Sequence, residues 1–176
     1  MTPLPGRSCD GCTTCCSVPA IEAAGFSKPP SVACAHCTGS GCAIYDLRPA
    51  PCRAFECGWQ VLPIIPEALK PDRSGVLVVA DEAAPPGYAS ATAIKFIFIT
   101  DASIASLPLL ECIAGLVHAR AAVFAAAPGP AGHHSLKTLL NPRIEHAVEQ
   151  RDAAGIALTL ASIVAKLRDG PFERAS

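Results

Sequence analysis

The spacing of apolar residues predicts regular secondary structure mainly in the second part of the chain. Short runs rich in β-branched and aromatic residues, bounded by Gly, Pro or Asn, are typical of strands. Such runs occur at 75–80, 93–100, 121–127 and 135–140. A Pro-Pro-Gly turn at 85–87 separates the first two, and the last two are close enough to form a hairpin. The sequence therefore predicts a small sheet of three to four strands.

Two or three helices are predicted from apolar spacing and from residues that start and stop helices. The first begins at Pro108 and reaches about residue 119. A second helical region opens with Asn141 as N-cap and Pro142 at the first helical position. Apolar residues then recur at helical spacing until Gly170. Strands and helices together predict an α+β fold.

The first third of the chain has a different composition. Residues 9–59, here called the Cys-rich segment, contain many Cys, Gly and Pro residues and few long aliphatic ones. Such a segment buries too little apolar surface to offset its ordering entropy, so something other than a core must organise it. We expect a Cys-rich metal- or cluster-binding module with few regular elements over residues 1–60. We expect residues 61–176 to form an α+β scaffold that packs with this module as one compact unit.

Length and charge exclude several classes of partner. The 176 residues suit one domain, and 14 Lys and Arg against 15 Asp and Glu give a net charge of −1 with no basic run. We therefore expect neither nucleic acid nor a membrane surface as a partner.

The apolar stretch 104–127 contains charged residues and a Pro, which favours buried core over a membrane span. The N-terminus lacks the pattern of a secretory signal, so a cytoplasmic location is expected.

Cysteine is the residue type that points to a function. Nine of the ten cysteines fall within 49 residues. They are Cys9, Cys12, Cys15, Cys16, Cys34, Cys37, Cys42, Cys52 and Cys57. Two-residue spacers let a turning backbone aim successive sulfurs at one centre, so this spacing favours metal binding over inert thiols or a secreted disulfide scaffold. Cys112 lies alone in a predicted helix and is expected to act as a small buried hydrophobe.

Charge limits how these thiols are used. The other ionisable residues of 1–59 sum to zero, so nine bare thiolates would leave about −9 in a small volume, which Coulomb repulsion forbids. Metal charge or protonated spectator thiols are required. One 4Fe-4S cluster on four thiolates, two zinc ions on eight, or three zinc ions on nine would each reduce the charge. The three-Cys run from Cys9 to Cys15 matches bacterial ferredoxins and tilts the expectation toward iron-sulfur, with zinc as the alternative.

The cysteine series resembles the bacterial and archaeal CxxCxxCC family, whose members are described as zinc- or iron-chelating domains and called cysteine cluster proteins. Beyond the opening motif, the similar positions are Cys34 and the series Gly41-Cys42-x-Ile44-Tyr45-x-x-Arg48-Pro49-x-x-Cys52-Arg53-x-Phe55-x-Cys57. Many members carry an apolar residue where Cys37 stands, which ranks Cys37 last among the ligands. The resemblance covers about the first third of the chain. It implies metal chelation but no particular reaction.

Polar residues among the cysteines are predicted to surround the metal rather than bind it. Tyr45, Arg48 and Arg53 are expected to lie around the metal ligands, where the two guanidinium groups donate hydrogen bonds to sulfur and offset negative charge. The alternative for Arg48 is an ion pair with Asp46 or Glu56. Two aromatic residues, Phe55 and Trp59, are expected to cover the centre and exclude water.

Three functions remain compatible with these residues. The first is an accessory or redox protein with an iron-sulfur cluster or zinc ions, whose scaffold docks a protein partner. The second is an enzyme with the cluster beside a substrate pocket, in which a leftover thiol such as Cys16 or Cys37 acts as nucleophile. The third is a metal store or buffer, suggested by the number of thiols.

Overall fold

The computed structural model describes residues 2–175, and within them helices and strands form an α+β fold. In chain order the elements are α1 (Thr14–Ser17), β1 (Ile21–Ala23), β2 (Phe26–Lys28), α2 (Ala50–Ala54), α3 (Gly58–Val61), α4 (Pro71–Ser74), β3 (Val76–Ala83), β4 (Thr92–Phe98), α5 (Leu107–His118), β5 (Val123–Ala127), β6 (Leu136–Leu139), α6 (Asn141–Glu149) and α7 (Ala153–Arg168). Short 3₁₀ turns at Tyr45–Leu47 and Glu67–Leu69 complete the regular structure of the described residues.

The four predicted strands form one mixed sheet in the order β3-β4-β5-β6. β3 and β4 are antiparallel, and so are β5 and β6, whereas β4 and β5 run parallel. A parallel pair needs a crossover connection, and α5 provides it between β4 and β5. The small sheet packed with helices that the sequence predicts is confirmed, with a second sheet of β1 and β2 in addition.

Helices cover one side of the sheet at β5, and both faces of β3 are buried. Helices α5, α6 and α7 pack against one another, and α5 and α7 also pack against β5. On β3, the four residues from Val76 to Val79 are all at most 3% exposed. A strand buried on both faces reads as a continuous apolar run rather than as an alternating one, as this sequence does.

The Cys-rich segment contributes to the same hydrophobic core. Val18, Cys57 and Trp59 belong to one cluster of buried residues with β3, β4 and the helices. Helix α3 packs directly on β3, and an added Cβ at Gly58 would lie 2.9 Å from Val78 Cγ1 and 2.9 Å from the Val78 carbonyl oxygen. Glycine at position 58 therefore permits a backbone-to-backbone approach that holds Cys57 against the sheet.

The predicted helix start at Asn141 is wrong in its detail. Asn141 is the first helical residue of α6 and Leu140 is the N-cap, without a side-chain capping bond. The Asn141 side chain instead accepts from the Val123 amide at 2.8 Å and donates to the Ala121 carbonyl oxygen at 2.8 Å. Asn141 is buried, so its amide fixes the start of β5 rather than the end of a helix.

The apolar stretch 104–127 folds as α5 and β5, with most of its large apolar residues buried. Over residues 2–175, none of the helices combines the length and the apolar character needed to cross a membrane.

Candidate metal centre

The opening cysteine motif folds as a turn followed by one helical turn. The Cys12 amide donates to the Cys9 carbonyl oxygen at 2.9 Å, and Gly11 between them has a φ of +75°, which a residue without Cβ adopts readily. Helix α1 then carries Cys15 and Cys16. Four thiols are thereby gathered within eight residues by backbone geometry alone.

The middle cysteines are tied to this motif through the backbone. The Cys34 amide donates to the Cys16 carbonyl oxygen at 2.9 Å, and the Cys37 amide donates to the Cys34 carbonyl oxygen at 2.9 Å. Cys37 and Cys42 pair as an isolated antiparallel bridge. These bonds return the chain to Cys16 after the β1–β2 hairpin.

The last two clustered cysteines lie on short helices. Cys52 is in α2, and Cys57 is the residue before α3. The Cys57 carbonyl oxygen accepts from the Gln60 amide at 2.8 Å. Cys57 is buried, since α3 presses it toward β3.

Seven of the nine clustered thiols line one cavity, here called the larger cavity, of about 120 Å³. They are Cys9, Cys12, Cys15, Cys16, Cys34, Cys42 and Cys52. Apolar residues including Ile21, Phe26 and Ile44 form much of the remaining wall. The nine-residue ligand set predicted from the sequence is thus gathered largely in one place.

A second, smaller cavity of about 20 Å³ lies on the inner side of the opening motif. Its walls include Cys57, Trp59 and Leu77 of β3, together with Cys9, Cys12 and Cys15. That volume is close to the minimum that accommodates a single water-sized species. Cys37 lines neither cavity.

Burial and neighbouring thiols raise the pKa values of several of these cysteines. Burial is the largest cause at Cys15, whose pKa is raised to about 11, and at Cys16, whose pKa is raised to about 12. Burial also raises the pKa values of Cys9, Cys52 and Cys57. Without a metal these five thiols keep their protons at neutral pH, so they add no negative charge to the segment.

The donor atoms are suited to a thiolate-binding metal, but their side chains are not yet directed at one point. Within residues 2–175, no group of three or more His, Cys, Asp or Glu side chains is arranged to hold a metal ion. All ten cysteines are free thiols. A metal would require thiol side chains to rotate into the cavities that they line, and each Cys has one side-chain torsion, χ1, with which to place its sulfur.

The three polar residues predicted around the metal lie at one rim of the larger cavity or behind it. Tyr45 is 54% exposed and lines the cavity with Arg48. The Arg48 Cζ lies 3.7 Å from the centre of the Tyr45 ring, and its Nε donates to the Tyr45 carbonyl oxygen at 2.8 Å. The Arg48 charge opposes the rise in pKa at Cys9 and Cys52. Arg53 donates to the Arg48 carbonyl oxygen and so holds that residue's backbone.

The predicted aromatic covers divide between the cavities. Phe55 lines the larger cavity and Trp59 the smaller one. The Trp59 Nε1 donates to the Glu67 carbonyl oxygen at 3.2 Å. Arg7 and Lys70 both lie over the Trp59 ring, at 5.4 Å and 5.8 Å from its centre. Trp59 is therefore a buried wall with two cations against its ring.

Lys28 is a functional candidate that the sequence did not reveal. Its side chain is buried, and Nζ donates to the carbonyl oxygens of Ser17 at 3.3 Å, Pro29 at 3.1 Å and Val32 at 2.8 Å. Burial lowers the pKa of Lys28, and nearby thiols oppose that change, first Cys34. The sequence around Lys28, in which two prolines follow it, does not indicate that the side chain is buried, because lysines are ordinarily exposed.

Cys112 lies elsewhere, buried in α5 with its thiol 3.7 Å from the Ile64 carbonyl oxygen. Burial alone raises its pKa to about 11, without any contribution from other thiols.

The chain matches no known family model, no curated protein and no solved structure in the three corresponding comparisons.

Proposed function

We propose that this protein holds an iron-sulfur cluster or zinc ions on the clustered thiols of residues 9–57 and serves an accessory or redox role. The observation that carries the proposal is the convergence of seven thiols on the wall of one cavity. The cysteine motif supports membership of the cysteine cluster protein family as part of the same proposal.

The surrounding residues support metal binding through charge. When bound, the metal would cross-link the thiolates and, in the iron-sulfur case, exchange electrons. Arg48 and Lys28 supply fixed positive charge beside the thiols, which reduces the repulsion among thiolates once their protons have left. Phe55 and Trp59 keep water away from the sulfurs, which strengthens each charge interaction.

The low aliphatic content of the Cys-rich segment is an energetic argument for metal binding. Few large apolar side chains of this segment join the core, and Val18 and Trp59 are the main ones. A structural zinc site in small peptides contributes on the order of 10 kcal/mol to folding, so a metal would supply what the core does not.

The test is purification under anaerobic conditions, followed by analysis of iron, zinc and acid-labile sulfide per chain. We expect iron with sulfide, or at least one zinc, bound tightly and lost on chelation. The reduced protein is then titrated with Zn²⁺ and its free thiols are counted before and after. A folded protein that acquires no metal and leaves all nine clustered thiols titratable would refute the proposal.

An enzyme remains the second candidate because the larger cavity reaches the thiols and has apolar walls on which a small substrate would fit. The nucleophile proposed from the sequence at Cys16 does not support it, since burial raises the pKa of that thiol to about 12 whereas a nucleophile needs a lowered one. Alkylation of the metal-free protein with iodoacetamide tests this role. Reaction of Cys16 slower than that of a free thiol would exclude it, and faster reaction would support the enzyme.

A further inference from the structure

The two adjacent cysteines of α1 differ in the cavities that they reach, although their thiols are hydrogen-bonded to each other. Cys15 lines both cavities, whereas Cys16 lines only the larger one.

One group of four thiols surrounds the smaller cavity. Cys57 lies on this cavity and not on the larger one, and Cys9, Cys12 and Cys15 separate the two. After burial, Cys9 and Cys12 are the main causes of the raised pKa of Cys15, and Cys57 also contributes. These four thiols are thus mutual neighbours, enclosed by Trp59 and by Leu77 of β3.

A second group of thiols lies around Lys28. After burial, the thiols that raise the pKa of Cys52 are Cys34 and Cys42. Cys42 also raises the pKa of Cys16, after burial and the nearer thiols Cys15 and Cys37. The Cys16 and Cys34 residues are joined by a backbone hydrogen bond of 2.9 Å.

Lys28 belongs to this second group. The thiols acting on the Lys28 ammonium are, in order of strength, Cys34, Cys16, Cys52 and Cys15. The ammonium is buried and held by three carbonyl oxygens, so it cannot swing away into solvent. It places one fixed positive charge beside the second group.

We propose that the nine clustered thiols form two separate metal sites, a closed one of Cys9, Cys12, Cys15 and Cys57 against Trp59, and an open one of Cys16, Cys34, Cys42 and Cys52 beside the buried Lys28. This inference rests on the proposed function and specifies its geometry. Cys37, which lines neither cavity, is the ninth thiol and is left as a spectator.

The two sites differ in access and in the cations that lie beside them. The closed site is walled by the hydrophobic core, whereas the open site faces the larger cavity, whose rim carries the exposed Tyr45. One divalent ion with four thiolates carries a net charge of −2 at either site. Lys28 and Arg48 offset part of this charge at Cys52 of the open site, and Arg48 and Lys70 offset part of it at Cys9 of the closed site. The open site should therefore exchange its ion faster, and Lys28 should strengthen its binding.

Co²⁺ titration of the reduced, metal-free full chain tests the division. Cobalt bound to thiolates absorbs where indole emits, so it quenches tryptophan fluorescence, and Trp59 is the single tryptophan of the chain. Native mass spectrometry counts the ions. We expect two Co²⁺ per chain, the larger share of quenching from the closed site, and two-phase release to a chelator.

Variants assign each ion to its site. Cys57→Ser should remove the slowly released ion and most of the quenching, and Cys52→Ser should remove the fast ion while the quenching persists. Cys112→Ser, a matched change at another buried cysteine, should keep both ions. If Cys57→Ser fails to fold by circular dichroism, Cys12→Ser replaces it with the same expectation.

Lys28→Met gives an independent readout. It should weaken Co²⁺ binding at the open site about 10- to 100-fold, the usual effect of losing a residue that supports a metal ligand. Binding at the closed site should not change. Equal weakening at both sites would contradict the placement of Lys28.

The outcomes separate this inference from the function on which it rests. Absence of Co²⁺ and Zn²⁺ binding would refute the proposed function. Metal binding in which Cys57→Ser and Cys52→Ser each remove all the ions together would leave the function standing and overturn the division, because the thiols would then share one polynuclear centre.

Discussion

Replacement of Gly58 by alanine should separate α3 from β3 and so weaken the fold at the point where the Cys-rich segment meets the sheet. The added Cβ would lie 2.9 Å from Val78 Cγ1 and from the Val78 carbonyl oxygen. Carbon atoms in favourable contact lie about 3.5–4.0 Å apart, so the helix must move by roughly 0.6 Å or more. Overpacking of this kind costs about 1–3 kcal/mol.

Gly115→Ala is the matched control. Gly115 lies in α5, and an added Cβ there meets nothing within 4 Å. Alanine inside a helix is favoured over glycine by about 0.5–1 kcal/mol, so this variant should be as stable as the parent or more stable. The same chemical change is therefore expected to have opposite signs at the two positions.

Urea unfolding followed by Trp59 fluorescence and by circular dichroism measures the difference. A loss of about 2 kcal/mol with a slope of about 2 kcal/mol/M lowers the midpoint by roughly 1 M. Gly58→Ala should also weaken metal binding by Cys57, because that residue precedes α3 directly. Equal midpoints for Gly58→Ala and the parent protein would refute the close packing of α3 on β3.

Three further predictions concern the metal and the sheet. Metal affinity should fall as the pH falls from 8 to 6, by about tenfold per pH unit for each proton displaced, because buried thiols with raised pKa values must lose protons on binding. Competition with a chelator at the two pH values measures the affinity, and an affinity independent of pH would contradict the prediction. Asn141→Ala should lower the free energy of unfolding by about 2 kcal/mol or more, since it leaves the Val123 amide and the Ala121 carbonyl oxygen without their partner; an unchanged urea midpoint would argue against this anchor. Removal of metal should first increase hydrogen exchange in the Cys-rich segment while the sheet stays protected, and uniform loss of protection would show that both parts unfold as one unit.

The sheet was predictable from sequence because its strands are short, β-branched and bounded by turn residues. The β1–β2 hairpin was not, because each of its strands has three residues and Gly25 is the only turn residue between them with a positive φ, +77°. The parallel pairing of β4 and β5 was also missed, since apolar pattern gives no strand direction. The role of Asn141 differs from the predicted N-cap because the local sequence is the same whether the side-chain amide caps a helix or bonds to a distant strand.

The site shows a similar division. Cysteine spacing predicts that the thiols gather, because two-residue spacers act locally. It does not predict the two cavities, since Cys57 reaches the inner one only through the packing of α3 on β3. Lys28 escaped prediction for the same reason, because its burial depends on carbonyl groups brought together by the fold of residues 17–32.

The position of Leu77 in the wall of the smaller cavity has a consequence for biosynthesis. Leu77 lies on β3, which is held in the sheet by β4 and through β4 by β5, and β5 ends 70 residues after Cys57. At translation rates of about 5–20 residues per second, this interval lasts roughly 4–14 s. During it the cysteines have left the peptidyl-transferase centre as reduced thiols without their aromatic and aliphatic cover. We expect oxidants and stray metal ions to compete for them in that window, so a cell starved of reductant should accumulate misoxidised nascent chains before any mature protein is damaged.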